Sequence, residues 1–268
     1  MTASHDASHA STAEPITGDS GLAAIALRGD AHAAVLDRHR LDFCCGGRRT
    51  LAEACDAAGI DFAQVLTELN TAAAARSAPS QPPSDWNGRP LPEVIDHIVD
   101  GHHAYTRAAI ARLGPLIEKV GGRHGAGHPE LARVATAFFE LAAEIGPHMA
   151  REEIVLFPYI RALASPGGRP ATPPFQTVRN PVRMMMMQHD RAAELLAEIR
   201  GASRNFATPA DGCGSYAALY AGLRELRLDL LTHVSLENNI LFPRAIALEN
   251  TVPRSPSGSR AATCFPEG

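Results

Sequence analysis

The chain has 268 residues, a net charge of −4 and a pI of about 6.3, with 45% hydrophobic and 20% charged residues. Those values suit a globular chain and exclude a broad basic face for nucleic acid. No apolar run reaches the ~18 residues of a membrane span; five Cys, an odd number, and a polar start without an apolar leader core predict reduced thiols and a cytoplasmic location.

Residues 1–17, rich in Ser, Ala, Thr and His, read as disordered. Residues 18–75 read as a small three-helix domain. Asp30 caps a helix through Arg40, Thr50 with Glu53 forms a capping box for 51–57, and Asp61 with Gln64 caps 62–75 more weakly. Its expected core runs from Leu22, Ile25 and Leu27 through Val35, Leu36, Leu41 and Phe43 to Leu51, Ile60, Phe62, Val65, Leu66 and Leu69. Residues 76–90, with the Pro/Ser stretch 77–84, form a linker by composition. Four segments with helical periodicity follow, at about 91–120, 129–163, 177–205 and 215–249, separated by Gly/Pro-rich breaks. The fold class is therefore all-α: a small helical domain, then an up-down four-helix bundle over 91–249. The Pro/Ser/Arg-rich tail 250–268 reads as disordered.

The bundle contains a near-duplication. His148-Met149-Ala150-Arg151-Glu152 and His233-Val234-Ser235-Leu236-Glu237 both continue to Leu-Phe-Pro, giving H-x-x-x-E-x-x-x-L-F-P twice, 85 residues apart. A further His precedes each copy: His103 by 45 residues and His189 by 44. Residues i and i+4 share a helix face, so each His–Glu pair projects together. Ile145, Val155 and Leu156 flank the first pair; Leu226, Leu230, Ile240 and Leu241 flank the second. Buried His and Glu without partners are costly, and a metal satisfies them. Four imidazoles and two carboxylates make a site for two ions, with the carboxylates able to bridge. This donor set suits iron, whereas tetrahedral zinc more usually shows Cys, or three ligands and water. Spacing leaves the first-helix ligand open between His102 and His103; His97 and Glu153 are rotated off that face.

Two other features carry chemistry. Asp42-Phe43-Cys44-Cys45-Gly46-Gly47 places adjacent thiols in a flexible turn before a helix start, with Arg48 and Arg49 favouring thiolate. A bond between neighbouring Cys would be strained, so Cys44 and Cys45 read as free, accessible thiols able to relay iron or exchange disulfides. Cys55 reads as core, and Cys213 and Cys264 carry no assignment. Met184 to Met187 point all round a helix and read as packing residues rather than a ligand set.

With these motifs the chain resembles the repair-of-iron-centres family, the iron–sulfur cluster repair di-iron proteins. The stretch from Asp42 to Leu51 is similar to the ScdA-type N-terminal domain, and the two H-x-x-x-E-x-x-x-L-F-P copies to a hemerythrin-like domain; together they cover roughly 22–249. The resemblance implies two non-haem irons, oxo- and carboxylate-bridged, held by His103, His148, Glu152, His189, His233 and Glu237. The family's Asp-His-Ile context, here Asp96-His97-Ile98, selects His103, and His102 stands where the family has Tyr. It further implies repair of clusters damaged by nitric oxide or oxidants, by iron donation, with Cys44 and Cys45 contributing. The implied partners are damaged iron–sulfur proteins or their apo forms, an electron donor, a second copy in a homodimer, and nitric oxide or oxygen as ligands. Two rival activities fit the same centre: reduction of nitric oxide, or oxygen or nitric-oxide binding and sensing. Hemerythrin proper has more His ligands, which weighs against a plain oxygen carrier.

Overall fold

A computed structural model describes residues 15–74, 86–165, 167 and 175–251. Residues 1–14, the stretch 77–84, the tail beyond 251 and Cys264 lie outside the described residues. Among the described residues there is no β-strand, only one isolated bridge between Gly21 and Thr50.

The N-terminal unit has four helices rather than three: α1 Leu22–Ala26, α2 Asp30–Arg38, α3 Leu51–Ala58 and α4 Phe62–Ala74. The unexpected α1 has five residues, too few to display a period. Asp30 is the first helical residue, not the cap. Gly29 caps α2 at φ 139°, a backbone conformation that favours glycine. The helix stops at Arg38, and Arg40 takes a left-handed φ of 57°. The Thr50–Glu53 capping box is present: Thr50 Oγ1 accepts from the Glu53 N–H at 3.2 Å, and Glu53 Oε2 accepts from the Thr50 N–H at 2.9 Å. Ile16, within the segment read as disordered, is buried in the core. Leu27, Ile60, Phe62 and Leu66 are only partly buried.

The bundle has four rods. The first joins α5 Leu91–His97, a π-helical turn Ile98–His103 and α6 Ala104–His124. The second joins α7 Glu130–Arg151, a π turn Glu152–Leu156 and α8 Phe157–Ala164. The third is α9 Arg179–Ala202, and the fourth joins α10 Gly214–Leu236, a π turn Glu237–Leu241 and α11 Phe242–Thr251. α7 packs along α9, and α6 along α10. The stripe burying α7 steps through Leu131, Val134, Phe138, Leu141 and Ile145, alternating three and four residues, and reaches His148 and Glu152 in the same cadence. In α10 the cadence runs Tyr216, Leu219, Leu223, Leu226, Leu230, His233, then Glu237. In α9 it runs Val182, Met185, His189, Ala192, Leu196, Ile199. The His and Glu therefore occupy core positions.

The π turns have a local cause in two rods. Pro158 and Pro243 of the Leu-Phe-Pro motifs have no N–H to bond the carbonyls of Ile154 and Asn239, and their rings crowd those carbonyls. A wider turn just ahead accommodates both. This widening shifts register, so Val155, read as flanking the metal pair, is 43% exposed. In the first rod the stripe passes from Ile98 to His103 and on to Thr106. The extra residue of the π turn brings His103, not His102, onto the inward face. Of the four Met from 184 to 187 only Met185 is core; the other three are exposed.

Two hydrophobic clusters flank the His/Glu layer. One holds α5, α8 and the near part of α9 and α11. The other is continuous between the far half of the bundle and the N-terminal unit, which is thus packed on the bundle rather than tethered to it. Ser235 Oγ donates to the Phe43 carbonyl at 3.0 Å, and Asn239 Nδ2 to the Cys44 carbonyl at 3.2 Å. Gly47 is required by this approach: a Cβ there would lie 2.5 Å from the Phe43 carbonyl oxygen and 2.8 Å from Asn239 Nδ2.

Candidate metal centre

His103, His148, Glu152, His189, His233 and Glu237 form one layer across the bundle, each 0–1% exposed. Their ligand atoms fall into two groups, each within 4.8 Å: His103, Glu152, His233 and Glu237, and His148, Glu152, His189 and Glu237. Both carboxylates belong to both groups. Glu152 turns Oε2 to His103 Nε2 at 3.5 Å and Oε1 to His148 Nε2 at 3.3 Å. Glu237 turns Oε2 to His189 Nε2 at 3.0 Å and Oε1 to His233 Nε2 at 3.1 Å. The pairing crosses the sequence repeat, since His103 faces His233 and His148 faces His189.

These contacts are short but are not hydrogen bonds. All four carboxylate oxygens are buried without a hydrogen-bond partner. The imidazole protons of His148 and His189 lie on the far side of their rings. His148 Nδ1 donates to Gln188 Oε1 at 3.0 Å, and His189 Nδ1 to Asn238 Oδ1 at 2.9 Å. Arg151 also donates to Gln188 Oε1, and Asn238 Nδ2 donates to the Cys44 carbonyl, which orients both amides. The Nε2 lone pairs of His148 and His189 thus face each other at 3.1 Å. Two facing lone pairs and four orphaned carboxylate oxygens are strongly unfavourable unless a cation lies between them. The residues fit a metal.

Electrostatics gives the same result. Burial and the neighbouring Glu237 carboxylate push Glu152 up to about 8. Burial also acts upward on Glu237, but His233 and His189 outweigh it and hold the group well below its ordinary value. The two carboxyls share one negative charge near neutrality; cations let both ionise. Burial, with His103 and His102 adding, lowers His233 to about 4 against the pull of Glu237, so its ring is neutral and ready to ligate.

Three outer partners escape a reading by helix face. Glu153 Oε1 accepts from His103 Nδ1 at 2.7 Å and from Arg107 Nη2 at 2.7 Å. Burial opposes its ionisation, but Arg107 and His103 hold it below its ordinary value. Gln188 and Asn238 complete the set. The rule that a ligating imidazole donates its other N–H to a fixed acceptor would have singled out all three. His102 is outside both groups: its Nδ1 donates to Asp229 Oδ1 at 2.8 Å and its ring stacks on His233 with centroids 5.7 Å apart. His97 packs on Trp86 at the surface.

Cys44 and Cys45 are free thiols with sulfurs 3.6 Å apart, grouped with Asp42. Asp42 organises the turn, accepting the N–H groups of Cys44 at 3.1 Å, Cys45 at 2.9 Å and Gly46 at 2.9 Å. Cys45 is exposed. Cys44 is buried, contrary to the expectation of two accessible thiols. The expected thiolate is also corrected at Cys44: its hydrogen bond to Cys45, burial and the Asp42 charge push that thiol up. Arg49 is turned away to the Glu53 carbonyl. Cys55 is core.

Residues 94–245 match the family described as the Hemerythrin HHE cation binding domain, and residues 18–73 match the ScdA N-terminal family, described as a domain of unknown function. The chain is 35% identical over 232 residues to the iron-sulfur cluster repair protein YtfE of Escherichia coli O157:H7, covering 86% of this chain and 98% of that one. The proteins of the same name from Shigella boydii serotype 4 and Salmonella schwarzengrund are 34% and 35% identical over the same shares. The chain belongs to the YtfE family. The family's two domains meet here at the Cys44 carbonyl and Asn238, one residue from Glu237 and in contact with His189. No helix among the described residues is long and apolar enough to cross a membrane.

Proposed function

We propose that this chain repairs damaged iron–sulfur clusters by donating iron from a carboxylate-bridged, oxo-bridged non-haem centre of two irons. His103, His148, His189 and His233 are its terminal ligands, and Glu152 and Glu237 its bridges. The observation that carries this reading is the set of four orphaned carboxylate oxygens opposite four imidazole Nε2 atoms. When bound, the irons supply exchangeable ferrous or ferric ions, for which carboxylate and imidazole are suitable donors. The clients are damaged iron–sulfur proteins or their apo forms in the cytoplasm, and the chain's own residues govern release. Glu152 and Glu237 each belong to both ligand groups, so a proton taken up on either carboxylate weakens the hold on both sides of the layer. Asn238 carries one side of the layer to the thiol turn, and Cys45 is the exposed sulfur there that takes up the departing ion.

Alanine at Glu152 or Glu237 removes a donor from both groups at once. Iron content, by emission spectrometry, and restoration of a damaged cluster in a purified client should fall together. Full repair by an iron-free Glu152→Ala/Glu237→Ala protein would contradict the donation reading.

A further inference from the structure

A separate open cleft, with charged residues on a largely apolar lining, lies between the N-terminal unit and the bundle. Its volume is about 620 Å³, and none of the six residues of the His/Glu layer lines it. That size falls in the range of small-molecule sites, roughly 300–1,000 Å³. Its charged walls are Asp37, Arg40, Asp42, Arg200, Arg204 and Arg227. Four guanidiniums therefore face two carboxylates, and the carboxylates are already committed. Asp42 holds the thiol turn. Asp37 Oδ1 alone accepts from Arg227 Nη2 at 2.7 Å, Arg227 Nε at 3.1 Å and Arg200 Nη1 at 3.3 Å.

The positive excess is partly buried. Arg200 and Arg227 are each only 9% exposed, and Arg227 Nη1 is buried with no hydrogen-bond partner. Burial draws the Arg200 guanidinium below its ordinary value; Asp37 opposes this, while Arg227 and Arg40 reinforce it. Arg200 is otherwise engaged, donating from Nε to Asn205 Oδ1 at 2.8 Å and from Nη1 to the Asp37 carbonyl at 2.7 Å, so Arg227 Nη1 is the unanswered donor, and an anion relieves its cost. Arg40 and Arg204 are exposed. Both, with Asn205 beside them, hold left-handed backbone at φ 57°, 50° and 60°, which side-chain-bearing residues rarely adopt.

We propose that this cavity is a binding site for a small organic anion bearing two carboxylates, one seated on Arg227 and the other on Arg40 and Arg204. Guanidiniums recognise carboxylates through paired N–H donors. Leu41, Phe43 and Leu231 supply an apolar wall for the carbon skeleton that a bare phosphate or sulfate would leave unused. The cavity includes Cys44 in its wall, so the occupant sits beside the thiol turn without entering the metal layer.

Titration calorimetry of the full-length, metal-loaded protein tests the site with two probes, succinate and S-methylglutathione. The blocked sulfur of the latter neither ligates iron nor exchanges with Cys44 and Cys45. Saturable one-to-one binding of at least one probe is expected, absent with chloride at equal ionic strength. The Arg40→Glu/Arg204→Glu variant changes only exposed side chains and keeps the parent's circular dichroism. It should bind at least about tenfold more weakly, and Arg227→Met should also weaken binding. Failure of both probes to bind, or equal affinity in the Arg40→Glu/Arg204→Glu variant, would overturn the proposal. The second result would place the probe at the metals or elsewhere.

Discussion

His103 and His233 on one side of the layer, and His148 and His189 on the other, face the same two carboxylates but are held from behind by different chemistry. Behind His103 stands a carboxylate, Glu153, itself fixed by Arg107. His233 Nδ1 has no hydrogen-bond partner, and its ring is stacked on His102. Behind His148 and His189 stand neutral amides, Gln188 and Asn238. A carboxylate partner makes an imidazole more electron-rich and orients it more firmly than an amide does. The His148–His189 side is also the one joined to the N-terminal unit, through Asn238 and the Cys44 carbonyl. On the proposed donation reading, the His103 side would retain iron and the His148–His189 side would release it toward the thiols.

Glu153→Gln keeps the shape of that side chain and removes its charge. Removing the charge behind His103 should weaken that side about 10- to 100-fold and leave the other near its parent value. Iron loss to a chelator would then change from two phases to one fast phase. Asn238→Ala should have a smaller effect on metal retention, under about tenfold, while raising the alkylation rate of Cys44 and Cys45. If Asn238→Ala sheds iron faster than Glu153→Gln, the assignment of the two sides is reversed.

The shared carboxylates also make the stability of the metal-free protein depend on pH. In the metal-free protein Glu152 is raised to about 8, so between about pH 6.5 and 8 the folded state holds more proton than the unfolded chain. Stability should therefore fall as pH rises through that window. His103 contributes in the same direction: burial opposes its charge, but Glu152, Glu237 and Glu153 raise it. His233, lowered to about 4, opposes the decline only at the lower edge of the window, where an unfolded imidazole is still partly protonated. Thermal melting of chelator-treated protein should show the decline, and Glu152→Gln should flatten it. A decline of equal slope in Glu152→Gln would remove Glu152 as its source.

The smallest effect concerns a thiol at the other end of the bundle. Cys213 Sγ lies 3.2 Å from His124 Nε2 at the start of α10. The backbone N–H of Tyr216 and then His124 lower it to about 7, whereas Cys44 is raised. Iodoacetamide at neutral pH should label Cys213 well before Cys44, and His124→Ala should slow the labelling several-fold. Cys44 labelling first would contradict the contrast.

Much of this was legible in the sequence because the donors sit on the core stripe. Once His148, Glu152, His233 and Glu237 are seen in step with Leu141, Ile145, Leu226 and Leu230, burial follows, and buried donors require a cation. What the period does not carry is what breaks it. The π turns move Val155 outward and decide between His102 and His103, although Pro158 and Pro243 were the visible mark of two of them. Glu153, Gln188 and Asn238 act from behind the rings, where no helix-face argument reaches. The packing of Asp37 on Arg200 and Arg227 joins residues at least 163 apart in the chain, beyond any local pattern.

Glu152 and Glu237 belong to both halves of the layer. The most direct test is iron per chain after anaerobic loading and desalting, for the parent and for Glu237→Ala. About two irons in the parent and fewer than about one in the variant are expected, because one substitution strips a donor from each half. A variant that keeps the parent's iron, or a parent that never holds more than one, would contradict a shared-carboxylate centre.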